Sequence, residues 1–175
     1  MIAVISDSHI PSRAQKIPEK FEQKLEEADI VVHCGDFETE QVYNDLKQYG
    51  ELIGVKGNCD RFKLDNSVRF KRKNIDFAVY HGSGIQPRGH HPTLINAANK
   101  IGGDVLFHGH THQQEVVKKE GKILLNPGSC TGAGGATADS GNPKMMLVYP
   151  DQELRVELLK LEDEELHMDE ESFRI

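Results

Sequence analysis

Residues 1–9 read Met1-Ile-Ala-Val-Ile-Ser-Asp7-Ser-His9, an apolar run that ends abruptly in polar side chains. Such a run predicts a buried strand at the centre of a sheet. In an extended chain, residues i and i+2 point the same way, so Asp7 and His9 should face one point beyond the end of the strand. Ligands bind at that edge in open α/β sheets. By itself the pattern is weak, because a polar turn after a strand would look the same.

The next two predicted strands, 29–34 and 52–56, end in the same manner. Gly35-Asp36 follows the first and Gly57-Asn58 follows the second. Amphipathic segments that begin near Pro18 and near residue 38 predict a helix before each strand. The order strand, helix, strand, helix, strand predicts a parallel sheet with right-handed crossovers. Three successive strands therefore each deliver an oxygen donor to one edge.

The second half of the chain is richer in strands. Its pattern predicts one helix and several strands, at 92–101 for the helix and at 68–70, 75–80, 104–108, 116–117, 123–125, 145–149 and 154–158 for the strands. Two packed sheets with helices outside would satisfy this order of elements. The Gly- and Ala-rich residues 131–139 predict a loop, and the acidic, weakly periodic residues 162–175 predict a frayed tail.

The later strands add imidazole donors, because the strand 75–80 ends in His81 and the strand 104–108 leads into His110-Thr-His112. Five strand ends then supply seven donors: Asp7, His9, Asp36, Asn58, His81, His110 and His112. Seven donors are too many for one tetrahedral zinc. They suit two divalent metals that share a carboxylate, and mixed N and O donors favour Mn, Fe, Ni or Zn over Mg or Ca. Two metals about 3.5–4 Å apart can deprotonate a bridging water and clamp an in-line displacement at phosphorus.

Composition excludes several classes of protein. The chain has 175 residues, which predicts one domain. Its formal net charge is −7, and residues 151–175, with 10 acids and 3 bases, carry all of it. An acidic chain without an arginine-rich stripe is a poor candidate for a dedicated nucleic-acid surface. No apolar run approaches the roughly 20 residues of a membrane span, and three cysteines do not make a disulfide framework. A reducing, cytoplasmic setting is the simplest prediction.

The blocks Asp7-x-His9, Gly35-Asp36, Gly57-Asn58, His81-Gly82 and Gly109-His110-x-His112, in this order, resemble the five signature blocks of the calcineurin-like metallophosphoesterases. Asn126-Pro-Gly-Ser129 resembles a block of their compact YfcE-like phosphodiesterase branch. The resemblance implies an α/β fold, a four-layer α/β/β/α sandwich of two mixed β-sheets flanked by helices. It predicts one metallophosphoesterase domain over residues 1–161, followed by the acidic tail 162–175.

The same resemblance implies a set of ligands for each metal. The first metal would take Asp7, His9, Asp36 and His112, and the second would take Asp36, Asn58, His81 and His110. Asp36 would bridge the two ions, for which manganese is the leading candidate and Ni, Fe and Zn are alternatives. The implied reaction is the hydrolysis of small phosphodiesters by a metal-bridging hydroxide.

Further roles are expected around the metals. Catalysis should involve Asp36, Asn58 and His110, and substrate contacts should come from Asn58, Cys59, Asp60, Arg88 and His90. Many members of the superfamily carry a His after the Asn, where it contacts the phosphate or protonates the leaving oxygen. Cys59 takes that position here. A thiol donates a proton weakly, so we expect little general-acid help from it and poor turnover of esters with poor leaving groups.

Other interpretations stay open. A Vps29-like scaffold shares this fold, but such proteins have replaced several ligands and bind protein partners, whereas all seven donor positions here are competent. A nuclease related to Mre11 would need a large additional capping region, for which the roughly 60 residues after His112 leave little room. The compact branch implies a homo-oligomer. The physiological diester could be a cyclic nucleotide, a phospholipid head group or a nucleotide derivative.

Overall fold

The two predicted sheets are present in the structure, a computed structural model that describes residues 1–134 and 141–175. Eleven strands and three α-helices lie in these residues, in the order β1 (Ile2–Ile5), α1 (Glu19–Glu26), β2 (Ile30–His33), α2 (Glu40–Leu46), β3 (Glu51–Gly54), β4 (Ser67–Arg72), β5 (Ile75–Tyr80), α3 (His91–Ile101), β6 (Val105–Phe107), β7 (Glu115–Lys119), β8 (Lys122–Asn126), β9 (Lys144–Pro150), β10 (Glu153–Glu162) and β11 (Glu165–Arg174). Of the predicted loop 131–139, residues 135–139 lie outside the described residues.

Both sheets are mixed. The six-stranded sheet has the order β11-β10-β9-β1-β2-β3, and β1, β2 and β3 run parallel in it. The five-stranded sheet has the order β4-β5-β6-β8-β7, and β5, β6 and β8 run parallel. The expected α/β fold is therefore confirmed. Strand β3 ends at Gly54, which is earlier than the predicted strand end before Gly57.

The fold has four layers, helices, sheet, sheet and helix, and an apolar cluster lies between each layer and the next. The inward faces of the two sheets form the first cluster, with Val4 and Val32 from one sheet and Phe77 and Phe107 from the other. Helices α1 and α2 pack on the outer face of the larger sheet. Helix α3 packs on the outer face of the smaller sheet, through residues such as Leu94. Because apolar side chains cover both faces of the central parallel strands, those strands read as unbroken apolar runs in the sequence.

The expected frayed tail is wrong. Strand β11 pairs antiparallel with β10 along its whole length, from Glu153 opposite Arg174 to Glu162 opposite Glu165. Cross-strand ion pairs join Arg155 to Glu170 and Arg174 to Glu153. Charged side chains are compatible with an edge strand whose faces are mostly exposed. Low apolar periodicity therefore reflects solvent exposure here, and it does not mark an unpaired chain.

Membrane spans are not found among the helices. None of the helices that the structure describes is long and apolar enough to cross a membrane.

Candidate metal centre

The carboxyl ends of four parallel strands meet at one end of the two sheets. Asp7 and His9 follow β1 and Asp36 follows β2 in the larger sheet, while His81 follows β5 and the pair His110 and His112 follows β6 in the smaller sheet. Two sets of three donors result, Asp7 with His9 and His112, and Asp36 with His81 and His110. Within each set the ligand atoms lie within 4.8 Å of one another.

In the first set, Asp7 and His9 are buried and His112 is partly exposed. The Nε2 atom of His112 lies 3.3 Å from Asp7 Oδ1 and 3.3 Å from Nε2 of His9. The second set has His81 Nε2 3.3 Å from Asp36 Oδ2 and 3.2 Å from Asn58 Oδ1. Ligand atoms about 2.1 Å from one metal ion lie roughly 3.0–3.4 Å from each other. These four pairs have the spacing of ligands on one metal ion, whereas Nε2 of His9 lies 4.0 Å from Asp7 Oδ1. The donor types of both sets suit a divalent transition ion.

Asp36 lies between the two sets. Its Oδ2 atom lies 3.3 Å from Nε2 of His81 and 3.6 Å from Nε2 of His9. Its Oδ1 atom accepts a hydrogen bond of 2.7 Å from the backbone N–H of Cys59, which fixes the orientation of the carboxylate. One oxygen is thus held between imidazoles of both sets, as a bridging ligand requires.

The local backbone differs from the extended chain that the sequence predicted. Five donors have left-handed backbones, with φ between 46° and 69°: Asp7, His9, Asp36, His110 and His112. A left-handed non-glycine residue costs about 1–2 kcal/mol. The pairs Asp7–His9 and His110–His112 converge because each loop turns sharply at both members. The i, i+2 spacing predicted that each pair converges, but the extended backbone assumed for that prediction is wrong.

Glycines let the loops approach one another. A Cβ atom on Gly57 would lie 2.1 Å from Asp36 Oδ1 and 2.2 Å from the Asp36 nitrogen, which is closer than any side chain tolerates. Gly35 has a φ of 103°, and a Cβ there would lie 2.7 Å from Nδ1 of His81. Both positions therefore need glycine for the donors to meet.

Asp60 holds two of these loops together. Its Oδ2 accepts hydrogen bonds from the backbone N–H groups of Asp36 and Gly57, at 3.0 and 2.7 Å, and its Oδ1 accepts one from Glu38 at 2.7 Å. Asp60 is 5% exposed and is not among the residues that line the cleft over the donors. The carboxylate therefore orients the backbone of these loops, and it lies outside the cleft lining, where a substrate contact was expected.

The segment after β8 braces the other loops. The Ser129 hydroxyl donates to the carbonyl of Asp7 at 2.8 Å, and the Thr131 hydroxyl donates to the carbonyl of Ser8 at 2.9 Å. The Asn126 amide nitrogen lies 3.2 Å from the carbonyl oxygen of Gly109 and 2.9 Å from Thr111 Oγ1. The Asn126-Pro-Gly-Ser129 block thus connects the loop after β1 with the loop that carries His110 and His112.

Backbone carbonyls orient two of the imidazoles. Nδ1 of His81 donates to the carbonyl of Cys34 at 2.8 Å, and Nδ1 of His112 donates to the carbonyl of Ala133 at 2.6 Å. Each Nε2 is then left with its lone pair facing the donor set, as metal ligation requires. Sequence reasoning could not name these acceptors, because the contacts link residues 47 and 21 positions apart.

The charges in the site offset one another. Burial raises the pKa of Asp7, but the hydrogen bond with His112 and the charge of His81 outweigh it, so the pKa lies below its usual range. The pKa of Asp36 is lowered in the same way, chiefly by His81. Burial tends to lower the pKa of His81 and of His112, yet contact with the carboxylates raises both. Burial and the charge of His81 lower the pKa of His110 to about 4.

An open cleft of about 260 Å³ lies over the donors. Its lining comprises His9, Arg13, Asp36, Asn58, Cys59, Gln86, Arg88, His110 and His112. Of the predicted substrate contacts, Asn58, Cys59 and Arg88 therefore line the cleft. His90 does not, and its Nδ1 lies 2.9 Å from the Thr93 hydroxyl at the start of α3. A larger cavity of about 930 Å³, whose lining includes Lys16, is lined by none of the seven donors.

Sequence reasoning missed Arg13 and Gln86. Arg13 lies in the loop after His9, and Gln86 lies in the loop after His81. The sequence does show a basic residue, Arg13, four positions after the predicted ligand His9. Without the tertiary structure, that arginine could not be told from an ordinary exposed one.

Comparison with known proteins agrees with this geometry. The calcineurin-like phosphoesterase superfamily domain matches residues 1–152. The chain belongs to this superfamily. A probable metallophosphoesterase of Methanocaldococcus jannaschii is 34% identical over 131 residues, which cover 75% of this chain and 68% of that protein. Another, of Methanothermobacter thermautotrophicus, is 35% identical over 134 residues, which cover 75% of this chain and 77% of that protein.

The solved structures include Vps29 proteins. Wild-type Vps29 of Entamoeba histolytica, complexed with zinc, is 30% identical, with a TM-score of 0.89 over 99% of both chains. A predicted phosphoesterase of Streptococcus pneumoniae is 23% identical, with a TM-score of 0.75 over 98% of this chain and 96% of that one. At that identity, the second structure supports the fold alone. The superfamily and the sandwich fold are thus confirmed for this phosphoesterase-family chain.

We expect metal binding to release protons. His81 and His112 hold their protons more tightly than a free imidazole does, and a metal must displace them. Affinity for Mn²⁺ should therefore fall as the pH is lowered below about 7. Calorimetric titration at pH 6.5 in two buffers of different ionisation enthalpy should give different binding enthalpies. Agreement between the two buffers would contradict the prediction, and the difference should shrink at pH 8.5.

We also expect Asp60 to control metal affinity through the backbone. Asp60→Ala removes the acceptor of three backbone N–H groups, which should lower the free energy of unfolding by about 3 kcal/mol and weaken Mn²⁺ binding. Asp60→Asn keeps one acceptor oxygen, so its free energy of unfolding and its Mn²⁺ affinity should lie between those of wild type and Asp60→Ala. Urea unfolding and metal titration would measure both effects, with the exposed Asp169→Asn as control. Wild-type affinity in Asp60→Ala would refute this role.

Proposed function

We propose that the chain is a phosphodiesterase that uses two divalent metals, with small phosphodiesters as substrates. The observation that carries this proposal is the position of Asp36 Oδ2 between His9 of one donor set and His81 of the other. A shared carboxylate between two sets of mixed donors is typical of two-metal hydrolases. The open cleft above it admits a substrate from solvent.

The residues would divide between the two ions as the resemblance implies. Asp7, His9, Asp36 and His112 would hold one ion, and Asp36, Asn58, His81 and His110 would hold the other. Two bound divalent ions would supply Lewis-acid polarisation of the phosphoryl group and activation of the attacking water. Manganese is the proposed metal, because the donor set mixes imidazole, amide and carboxylate groups.

Around the metals, the chain's own side chains orient the substrate. Asn58 and His110 line the cleft, so both ligands also contact the volume where the phosphoryl group would lie. The guanidinium of Arg88 donates to the His110 carbonyl at 2.6 Å, which positions it beside that ligand. The low pKa of His110 keeps its imidazole neutral at pH 7, so it acts as a ligand and does not donate a proton to the leaving group.

Cys59 supplies little acid catalysis in this proposal. Burial and the charge of Asp36 raise the pKa of the thiol to about 11, so it stays protonated at neutral pH. An S–H group is a weak hydrogen-bond donor, and it stabilises a developing alkoxide poorly. Substrates with good leaving groups, such as aryl diesters, should therefore react best.

A protein-binding scaffold is the second candidate. It is favoured by the similarity to Vps29, which extends over 99% of this chain. The seven donors around an open cleft favour the enzyme, but metal binding alone does not separate the candidates, because Vps29 of Entamoeba histolytica is itself complexed with zinc. The predicted reducing cytoplasmic setting and homo-oligomer are compatible with both candidates and stay proposals.

Turnover of a panel of phosphomonoesters and phosphodiesters separates these two candidates. We expect Mn²⁺-dependent hydrolysis of bis(4-nitrophenyl) phosphate, and weaker hydrolysis of monoesters. Asp36→Asn should lower kcat by at least about 100-fold, because it removes the shared charge between the donor sets. Absence of turnover with Mn, Ni, Fe and Zn, in protein that elemental analysis finds loaded, would reject the enzyme and favour the scaffold.

Cys59 variants test the leaving-group argument. Cys59→His should raise turnover of alkyl diesters, whose leaving oxygen needs a proton, and should change turnover of aryl diesters little. Cys59→Ala should leave aryl diester turnover within about threefold of wild type. The measurement is kcat for both substrates across pH 6–9. Loss of aryl diester turnover in Cys59→Ala would assign the thiol a role that the proposal denies it.

A further inference from the structure

Two arginines flank the donor sets, one on each side. Arg13 lines the cleft and donates from Nη1 to the carbonyl of Gly134 at 2.7 Å. Burial lowers the pKa of His9, and the charge of Arg13 adds to that effect. Arg88 is anchored on the carbonyl of His110, and its charge lowers the pKa of that imidazole. Each donor set therefore has its own guanidinium at the cleft wall.

Arg88 also has a donor that the protein does not use. Its Nε atom is buried and has no hydrogen-bond partner among the described residues. A buried N–H group without an acceptor costs about 1–3 kcal/mol. The side chain of Arg88 also lines the cleft, where a guanidinium presents its N–H groups as a planar fork that matches phosphate.

The cleft carries more positive charge than a simple diester can balance. Two divalent ions would contribute four positive charges, and the carboxylates of Asp7 and Asp36 would offset two of them. Arg13 and Arg88 raise the remaining charge to four, and the bridging hydroxide of the implied reaction lowers it to three. A phosphodiester group carries only one negative charge. A second anionic group on the substrate could therefore bind to the two guanidinium groups.

The described lining of the cleft is polar and charged. It contains no Phe or Tyr, so only imidazole and guanidinium groups could stack on a base there. Anionic groups on the substrate are the chemistry that this lining matches best.

From these features we infer that the phosphodiester substrate carries a second, separate phosphate group, and that Arg13 and Arg88 recognise it. The inference rests on the proposed function of the same site. It assigns Arg13 a role in specificity and extends that of Arg88 from contact with a phosphate to selection of a second one. Gln86, between the two along the cleft wall, adds a neutral donor.

A matched pair of ligands tests the inference. Fructose 6-phosphate and fructose 1,6-bisphosphate differ by one phosphate, and each is titrated calorimetrically into Mn²⁺-loaded protein with equal free Mn²⁺ in cell and syringe. The bisphosphate should bind at least about tenfold more tightly, as charge-assisted hydrogen bonds of 1.5–3 kcal/mol imply. Arg13→Met and Arg88→Met should each reduce this ratio about fivefold or more.

Controls separate the possible outcomes. Arg61→Met changes an exposed arginine outside the cleft lining and should leave the ratio unchanged. Arg88→Lys keeps the positive charge but loses the planar set of N–H donors. Its ratio of bisphosphate to monophosphate affinity should therefore lie between those of wild type and Arg88→Met. Equal binding of the two ligands, or a ratio that both methionine variants leave intact, would overturn the inference. A protein without turnover but with the expected ratio would refute the proposed function alone.

Discussion

Burial of two carboxylates, Asp7 and Asp36, at the ends of neighbouring parallel strands is the constraint on which the rest of the structure depends. A buried carboxylate is costly unless charges or N–H groups surround it. Neighbouring loops supply such N–H groups. The backbone N–H of His110 donates a hydrogen bond to Asp7, and the backbone N–H of Cys59 donates one to Asp36. The loops must come within hydrogen-bond distance to do so, and the close contact at Gly57 follows from this need.

The loops can converge in this way only with strained backbone conformations. Five donors are left-handed, at about 1–2 kcal/mol each, and the surrounding hydrogen bonds hold them there. The carboxylate of Asp60 and the segment from Asn126 to Thr131 make those bonds while the sandwich supplies a rigid base. Such arrangements are typical of sites where the positions of ligands matter more than local stability. The donor geometry is thus built by the tertiary structure at a local cost.

Several features could be predicted because they depend on local chemistry. The apolar runs of β1, β2 and β6 are buried on both faces, so their composition alone marks them as central strands. The frayed tail was a wrong prediction because exposed edge strands such as β11 lack the apolar alternation that marks a strand. Cross-strand pairing with β10, which no local pattern encodes, orders these residues. Arg13 went unnoticed because its position over the donors depends on the path of a loop.

By itself, the sequence determined the order of elements as far as β10, the superfamily, and which seven side chains have the chemistry to hold a metal, because apolar burial and donor chemistry are properties of the residues. Only the tertiary structure decided which donors meet, that Asp36 lies between the two sets, and that Asp60 faces the backbone. It also decided that guanidinium groups flank both sets. The physical reason is that these features depend on distances between loops far apart in the chain. Those distances are set by how two sheets pack and by how closely glycine lets their loops approach.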